Sequence, residues 1–417
     1  MQVLVLGAGV VGVTTAWYLQ AQGHQVTVVD RQSLSGLETS YANGGQVSVS
    51  HAEPWANPSA PLKVMKWLFR PDAPLLFRPR LDLYQWRWAL SFLTQCTSAK
   101  AAYNIRQMVN LGTYSRSRLQ ALRKEANLDY DHLEKGILHF YTNPEEFDAA
   151  LEPARIMRDL GCDRQVIDAE RAVELEPALA PIRRRIAGAT FTADDESGDA
   201  RKFTQALARR CEEAGVEFLY GTEVLDFDRV GDRILGVQVL REGRHQTLRA
   251  DSYVLSLGSF SAVLARRLGL FLNIYPAKGY SITVPVKSQE AAFNVSLTDD
   301  EYKLVYSRLG DRMRVAGTAE LNGYSRDLNY TRCRAIVRRA AEIMPEAGEW
   351  DKAEFWTGLR PTTPSNVPYI GKSHFTNLYL NTGHGTLGWT HSCGSAAALA
   401  DIVDGRKPEV DFAFAGI

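Results

Sequence analysis

Two glycine-rich segments, one near each end of the chain, carry residues that are suited to binding a dinucleotide. The first is GAGVVG at residues 7–12, which follows an apolar run and precedes a stretch with helical patterning. In such a segment Gly7 permits a tight turn, Gly9 lets the backbone approach a pyrophosphate, and Gly12 lets the helix pack closely on the sheet. The N–H groups at the start of that helix would hold the phosphates.

Asp30 indicates which dinucleotide binds. It lies eighteen residues after Gly12, at the end of the apolar segment QVTVV, where a carboxylate accepts hydrogen bonds from a ribose diol. An acid at this place requires a free 2′-hydroxyl, which favours NAD or FAD over NADP. Between these two, the late apolar segment DSYVLSLG at residues 251–258 favours FAD. Many flavoproteins of the two-dinucleotide type carry such a strand beside the cofactor.

The second glycine-rich segment is TGHGTLG at residues 382–388. A second nucleotide site would need a further strand and an acidic residue, and fewer than thirty residues follow Gly388. We therefore expect a turn that points the N-terminus of a helix at a flavin ring, where its positive dipole stabilises the anionic reduced form. Without a second nucleotide site, the electrons must come from the organic substrate itself.

These segments need a parallel sheet that brings them to one edge. Residues 1–30 have the pattern of a βαβ unit with near-continuous apolar strands, which is typical of a parallel sheet covered on both faces. The pattern then becomes helical over 62–127, strand-rich over 274–320 and helical again over 330–344. Strand and helix patterns return in the last 65 residues.

The order of these elements predicts an α/β protein with two domains. A Rossmann-like FAD-binding domain of the glutathione-reductase type is expected to be interwoven with an α+β substrate domain built on an antiparallel sheet. No low-complexity linker separates them, so each domain is assembled from several segments. The predicted FAD-binding domain comprises residues 1–60, 190–265 and 355–417, and the substrate domain comprises residues 61–189 and 266–354.

The bulk composition narrows the functional class. The 417 residues include 48 Lys and Arg and 48 Asp and Glu, so there is no basic excess for binding nucleic acid. No run of about 18 apolar residues predicts a membrane span, and no signal-peptide pattern precedes the first strand. The five cysteines are scattered without CxxC spacing, so we expect reduced thiols in a cytoplasmic protein and no metal site.

Longer motifs resemble those of the FAD-dependent D-amino acid oxidase superfamily, which includes glycine and sarcosine oxidases. The similarity is greatest to the flavin-bearing subunit of bacterial D-amino acid dehydrogenases and runs nearly end to end. The matching segments are GAGVVG with Asp30-Arg31, ETSYANGGQ (38–46), PW (54–55), PLK (61–63), KGYS (278–281), FWTGLRP (355–361) and GHGTLGWT (383–390). ETSYANGGQ and WTGLRPTTP are the longest and most specific of them.

The resemblance implies a large set of residues that bind FAD. Small residues and amides in the 40–46 segment would line the flavin, although a flexible surface loop is the alternative, and Val224 would lie near the adenine. FAD is expected to be non-covalent, with Cys393 as the residue that leaves an attachment open. The complete predicted set is Gly7, Gly9, Val10, Val11, Gly12, Asp30, Arg31, Ser40, Asn43, Gly44, Gly45, Gln46, Val224, Gly258, Arg360, Gly383, Gly385, Thr386, Leu387 and Gly388.

The same resemblance implies that Arg360 clamps the substrate α-carboxylate, because a planar guanidinium can bind a carboxylate through two hydrogen bonds. The alternative is a surface or structural arginine. Tyr280 and Tyr302 are candidates for a second carboxylate contact, and a buried core tyrosine is an equal alternative for each. His51 and His384 are candidates for the amino-group side of the pocket, although a lone histidine is more often structural.

The activity that the resemblance implies is oxidative deamination of D-amino acids. Hydride would pass from Cα to flavin N5, the imine would hydrolyse to a 2-oxo acid and ammonia, and a quinone or another carrier would accept the electrons. One alternative is an oxidase that uses O₂ and acts on glycine, sarcosine or D-hydroxyproline. The other is a non-catalytic flavin subunit of a larger electron-transfer complex.

The aromatic and basic segment at residues 61–70 has two interpretations. It contacts the inner face of the cell membrane peripherally, where a quinone would be available, or it is an ordinary helix packed on the substrate domain.

Overall fold

The computed structural model describes residues 1–67 and 74–416, with the side chains of residues 65–67 outside that description. The helices within these residues are α1 (Val10–Ala21), α2 (Ala60–Trp67), α3 (Leu83–Gln95), α4 (Ser98–Glu125), α5 (Pro144–Asp159), α6 (Ala169–Leu175), α7 (Ala200–Glu213), α8 (Ser261–Arg267), α9 (Tyr330–Ile343) and α10 (Gly388–Val403). The strands are β1 (Gln2–Leu6), β2 (Gln25–Val29), β3 (Gln46–Val47), β4 (Leu75–Phe77), β5 (Ile137–Tyr141), β6 (Gln165–Ile167), β7 (Gly188–Thr192), β8 (Glu196–Ser197), β9 (Glu217–Leu219), β10 (Thr222–Val230), β11 (Arg233–Arg241), β12 (Arg244–Leu248), β13 (Ser252–Leu255), β14 (Tyr275–Pro285), β15 (Ser296–Asp299), β16 (Leu304–Leu309), β17 (Arg312–Leu321), β18 (Glu354–Thr362), β19 (Tyr369–Lys372) and β20 (Leu378–Thr382).

A six-stranded sheet carries the dinucleotide turn. Its order is β19-β20-β13-β1-β2-β9, and all its pairs are parallel except β19 with β20. Alternate side chains of β1 enter two different cores, because both faces of the sheet are covered. Val3 and Val5 pack with α1, α7 and α10, whereas Leu4 and Leu6 pack with α8 and the ribbon β10-β11-β12. This is why the strand sequence is apolar without interruption.

A larger sheet of nine strands forms the second half of the molecule. Its order is β18-β14-β17-β16-β15-β5-β7-β6, with β4 paired to β17. The pairs are antiparallel except β15 with β5 and β17 with β4. One face packs on α9, through Ile282 and Val315 from the sheet and Ile336 and Ile343 from the helix. The opposite face is free to line a cavity.

The predicted α/β fold, with a Rossmann-like sheet and a second, largely antiparallel sheet, is confirmed. The helical pattern over 62–127 is wrong at one place, because the short strand β4 interrupts it and extends the edge of the larger sheet. The exact division into two domains stays a prediction. No helix among the described residues combines the length and the apolar character that crossing a bilayer requires.

Candidate active site

A cavity of about 890 Å³ is lined by residues of both large sheets. It receives Arg360, Tyr280, His51 and His384, together with every predicted cofactor-binding residue except Gly12. Tyr302 also lies outside the lining. The structure thus brings together residues that are more than three hundred positions apart in the chain.

In the dinucleotide turn, residues 7–12, two glycines leave no space for a side chain and the third does. A Cβ atom on Gly7, whose φ is +111°, would lie 2.5 Å from the carbonyl oxygen of Ser256. A Cβ atom on Gly12 would lie 1.8 Å from the carbonyl oxygen of Gly7, so Gly12 acts by packing α1 onto the turn. A Cβ atom on Gly9 would meet only Ser40 Oγ, at 3.8 Å. The open position faces the cavity, at a helix N-terminus without a side-chain cap.

Asp30 is fixed at the rim of this turn. One carboxylate oxygen accepts a hydrogen bond from the N–H of Ala8 at 2.7 Å, and the other accepts one from the N–H of Gln32 at 2.8 Å. Each oxygen has a second lone pair, which leaves the carboxylate able to bind a ribose hydroxyl. Burial raises the pKa of Asp30. The neighbouring Arg31 forms an ion pair with Glu38 at 2.8 Å and lies in the lining.

The 40–46 segment is held rigidly by its own side chains, which argues against a flexible loop. Ser40 Oγ accepts a hydrogen bond from the N–H of Val10 at 3.1 Å, so it ties this segment to the start of α1. Asn43 Oδ1 accepts a hydrogen bond from the N–H of Gly45 at 3.0 Å. Gly45 has a φ of +70°, which glycine adopts without strain.

The end of this segment contacts the larger sheet closely. A Cβ atom on Gly44 would lie 2.5 Å from Val305 Cγ2, so only glycine fits between β16 and the cavity. Gln46 Nε2 donates hydrogen bonds to Ser296 Oγ at 3.0 Å and to the carbonyl of Leu297 at 3.2 Å. The segment therefore bridges the dinucleotide turn and the substrate side of the cavity.

The C-terminal turn forms the opposite wall. Gly383 and Gly385 have φ values of +84° and +55°, and α10 begins at Gly388 without a side-chain cap. Burial and the neighbouring His391 lower the pKa of His384 to about 3, so its ring is neutral at pH 7. His384 Nε2 lies 3.1 Å from Ser395 Oγ and joins the turn to α10. This contact gives His384 a structural task besides its place in the lining.

Arg360 is a cation that forms no ion pair with any carboxylate in the described part of the chain. Its side chain leaves β18, crosses β14 above Gly279, and donates a hydrogen bond from Nη1 to the carbonyl of Thr318 at 2.9 Å. Burial lowers the pKa of Arg360 to about 10, and no described carboxylate offsets that effect. The guanidinium is therefore charged at neutral pH and lies in the lining. Such a group is suited to binding a carboxylate brought by a ligand.

The two tyrosines occupy different environments. Tyr280 lines the cavity, but its hydroxyl donates a hydrogen bond to Glu320 Oε2 at 2.5 Å and is occupied there. Tyr302 is 42 % exposed, and the Arg339 guanidinium lies 3.9 Å from the centre of its ring. The structure does not bring Tyr302 to the other candidates. A second carboxylate contact must come from another residue.

His51 belongs to a polar cluster that the motifs did not predict. Its ring stacks on His139 with centroids 5.7 Å apart, and burial lowers the pKa of His51 to about 3. His139 Nδ1 lies 2.8 Å from Asp300 Oδ2, and Lys303 Nζ donates to Asp300 Oδ1 at 3.1 Å. All of them line the cavity. A polar residue inside the apolar strand ILHFY was the one available signal for His139.

Arg164 and Glu53 complete this cluster, and neither lies in a recognisable pattern. The buried Arg164 guanidinium donates to the carbonyl of Ser50 at 3.0 Å and to the Tyr141 hydroxyl at 2.9 Å. Burial raises the pKa of Glu53, which opposes its ionisation. Cys393, the residue considered for covalent attachment, is buried in the core beside α1 and lies outside the lining.

Comparisons with known proteins agree with this geometry. The model of the family "FAD dependent oxidoreductase" matches residues 2–402. The D-amino acid dehydrogenase of Dechloromonas aromatica (strain RCB) is 55% identical over 99% of both chains. That of Paramagnetospirillum magneticum (strain ATCC 700264 / AMB-1) is 50% identical over 100% of this chain and 98% of its own. Glycine oxidase from Geobacillus kaustophilus has the same fold, with a TM-score of 0.75 at 23% identity over 98% and 96% of the two chains.

The described residues also fit FAD as a chemical group. The open Gly9 position, the start of α1, where the N-cap residue Gly9 has no side chain, and the fixed Asp30 carboxylate suit a pyrophosphate and a ribose. Ser256 Oγ, which is buried in the lining, has no hydrogen-bond partner among the described residues. The predicted family and the predicted FAD cofactor are confirmed. The chain belongs to the family of FAD dependent oxidoreductases.

Proposed function

We propose that this protein oxidises D-amino acids to 2-oxo acids and ammonia as an FAD-dependent dehydrogenase. Arg360 is the observation that carries the proposal, because a half-buried cation with no carboxylate partner among the described residues is suited to the α-carboxylate of an amino acid. The relatives named D-amino acid dehydrogenase support the choice of substrate. The predicted non-catalytic subunit is less well supported, since such a subunit has no use for an unpaired cation in the cavity.

Different segments of the chain would bind the cofactor and orient the substrate. The dinucleotide turn with Asp30 would hold the nucleotide part of FAD, and the 40–46 segment with the start of α10 would hold the flavin. Bound FAD supplies the acceptor for the hydride of Cα. Arg360 would orient the substrate by its carboxylate, so that Cα faces the ring. His51, which is neutral at pH 7, can accept a hydrogen bond from the substrate amine.

Anaerobic mixing with matched D- and L-amino acids tests the activity. We expect D-amino acids to bleach the flavin absorbance and L-amino acids to leave it unchanged. Arg360→Ala should keep its yellow flavin, but its second-order rate constant for flavin reduction should fall at least 100-fold. Arg360→Lys should recover little of this rate constant, because a single ammonium cannot replace the planar guanidinium. The proposal fails if no amino acid bleaches the wild-type flavin.

The electron acceptor needs a separate experiment. We propose a quinone, and the alternative is O₂, as in a true oxidase. Protein reduced by a D-amino acid is mixed with air-saturated buffer or, without oxygen, with a soluble quinone analogue. Reoxidation by the quinone should be at least tenfold faster. Faster reoxidation by O₂ would make the protein an oxidase.

We further propose that α3 rests on the membrane that holds the quinone. Leu83, Trp86, Leu90 and Leu93 follow each other at the spacing of one helical face, and each is 46% exposed or more. Trp88, on the other side of α3, is buried. A short helix with such a face binds at a lipid interface. Within the predicted 61–70 segment, residues 68–70 lie outside the described residues, so α3 carries the argument.

Vesicle sedimentation tests this contact. The FAD-loaded protein is mixed with vesicles of phosphatidylethanolamine and phosphatidylglycerol. The double variant Leu90→Ser, Leu93→Ser should bind at least tenfold less, because two leucines lose their burial in lipid. Leu235→Ser removes a leucine that is 46% exposed in β11, outside α3, and should bind like wild type. Equal binding by all three proteins would remove α3 from the membrane.

A further inference from the structure

Thr318 has an unfavourable backbone conformation in the wall of the cavity. Its φ is +54°, in the left-handed region, although it lies within β17. Of the six described residues other than glycine with positive φ, Thr318 is the only one that is β-branched. Steric strain of this kind is unfavourable and persists only where the surrounding structure enforces it.

The bulge in the sheet explains what this conformation achieves. The register between β14 and β17 shifts at Gly279, where Lys278 pairs with Glu320 and Tyr280 pairs with Gly317. The shift releases the carbonyl of Thr318 from the ladder, and that carbonyl accepts the hydrogen bond from Arg360 Nη1. Thr318 therefore holds the guanidinium in place through its backbone.

The side chain of Thr318 carries a second cost. Its Oγ1 is buried and has no hydrogen-bond partner among the described residues, and Thr318 lines the cavity. A buried hydroxyl that makes no hydrogen bond destabilises the fold. Glycine would relieve the backbone strain, and any residue without a hydroxyl would avoid the unpaired group. Both costs thus fall on the residue whose carbonyl accepts the hydrogen bond from Arg360.

We propose that the Thr318 hydroxyl is the second contact of the substrate carboxylate. The O–H group donates to one carboxylate oxygen while Arg360 holds the anion, and rotation about Cα–Cβ between staggered positions turns the hydroxyl to the ligand. The inference rests on the proposed role of Arg360. It assigns the second carboxylate contact to Thr318. The Tyr280 hydroxyl is already hydrogen-bonded to Glu320, and Tyr302 lies outside the cavity lining.

The test uses four variants of the FAD-loaded protein and a probe without an amine. Thr318→Val removes the hydroxyl and keeps the shape, whereas Thr318→Ser keeps the hydroxyl. Propionate binding is followed through the flavin absorbance, and KM and kcat are measured with D-alanine. Thr318→Val should weaken propionate binding and raise KM about tenfold, which corresponds to about 1.4 kcal/mol. Its kcat should change less than threefold, and Thr318→Ser should stay within threefold of wild type throughout.

Two glycine variants distinguish the effect of the hydroxyl from the effect of the backbone strain. Thr318→Gly should melt no lower than wild type and yet lose the same tenfold in propionate affinity. Glu242→Gly relieves a left-handed residue in the exposed β11-β12 turn and should leave KM unchanged. Wild-type propionate affinity in Thr318→Val or Thr318→Gly overturns the inference, as does a tenfold loss in Thr318→Ser. Propionate binding needs no turnover, so this outcome is independent of whether D-amino acids reduce the flavin.

Discussion

At the scale of single residues, the path of Arg360 depends on the absence of a side chain at residue 279. A Cβ atom on Gly279 would lie 2.2 Å from Arg360 Nη1 and 2.3 Å from its Cζ. The guanidinium can cross β14 only at this point, because the other residues of the strand carry side chains. Gly279 is therefore required for the proposed carboxylate site, and it also lines the cavity.

We predict that Gly279→Ala displaces the guanidinium and lowers kcat/KM for D-amino acids at least 100-fold, while the FAD content stays normal. Steady-state kinetics and the flavin absorbance measure both quantities. Gly112→Ala is the control, because its Cβ would make ordinary contacts of 3.4–3.6 Å in α4, outside the lining. An unchanged kcat/KM in Gly279→Ala would show that Arg360 does not need this crossing.

The sequence predicted those site residues that lie in motifs. GAGVVG, ETSYANGGQ and GLRP each place several neighbours in the lining, and a motif is visible without the fold. His139 and Arg164 were not predicted from the sequence, because their contacts with Ser50 form only when the chain folds. Thr318 was not predicted either, because no sequence pattern indicates that a threonine adopts a φ of +54°.

At the scale of elements, the turn between β1 and α1 contains one glycine that serves helix packing and another that leaves space for the cofactor. Gly12 meets a backbone carbonyl, which cannot move without shifting the strand, whereas Gly9 faces the open cavity. The two glycines therefore respond differently to the same substitution.

We predict that Gly12→Ala lowers the melting temperature of the protein stripped of FAD, because the clash exceeds the gain of about 1 kcal/mol in helix propensity. Gly9→Ala should melt like wild type without FAD and bind FAD at least tenfold more weakly. Thermal unfolding and a fluorescence titration of FAD distinguish the two. Equal melting of Gly12→Ala and wild type would contradict the packing role.

Elements were predictable where the pattern is local. The helix expected near 330–344 is α9, Tyr330–Ile343. Sheet membership was harder, because it depends on a partner far along the chain. β18 contains GLRP and pairs with β14, about eighty residues earlier. Nothing in the local pattern of β18 identifies that partner.

At the scale of the whole molecule, buried neutral histidines make stability depend on pH. Burial lowers the pKa of His51 and His384 to about 3 and that of His391 to about 4, and it also lowers the pKa of His139. Their unfolded value is about 6.5. Between these values the unfolded state binds more protons, so the free energy of unfolding falls as the pH drops below 6.5. Each histidine contributes up to about 1.4 kcal/mol per pH unit.

We predict that His391→Gln reduces this slope by roughly 1 kcal/mol per pH unit between pH 6 and 4.5. Urea unfolding at several pH values measures it. The raised pKa values of Asp195 and Asp299 act in the opposite direction, so the difference from wild type is the informative quantity. His245→Gln, on the exposed strand β12, should keep the wild-type slope. A wild-type slope in His391→Gln would contradict the prediction.

The contact between α1 and α10 has a consequence for synthesis on the ribosome. Thr14 Oγ1 donates to the carbonyl of Ser392 at 3.2 Å, and Asn381 Nδ2 donates to Thr15 Oγ1 at 2.9 Å. The nucleotide-binding turn is translated first, but the helix and strand that complete its support are translated last. A nascent chain therefore exposes the turn for nearly its whole elongation time before it can retain FAD. Cofactor loading is a late event, and a chain stalled before residue 380 would carry the complete motif and no flavin.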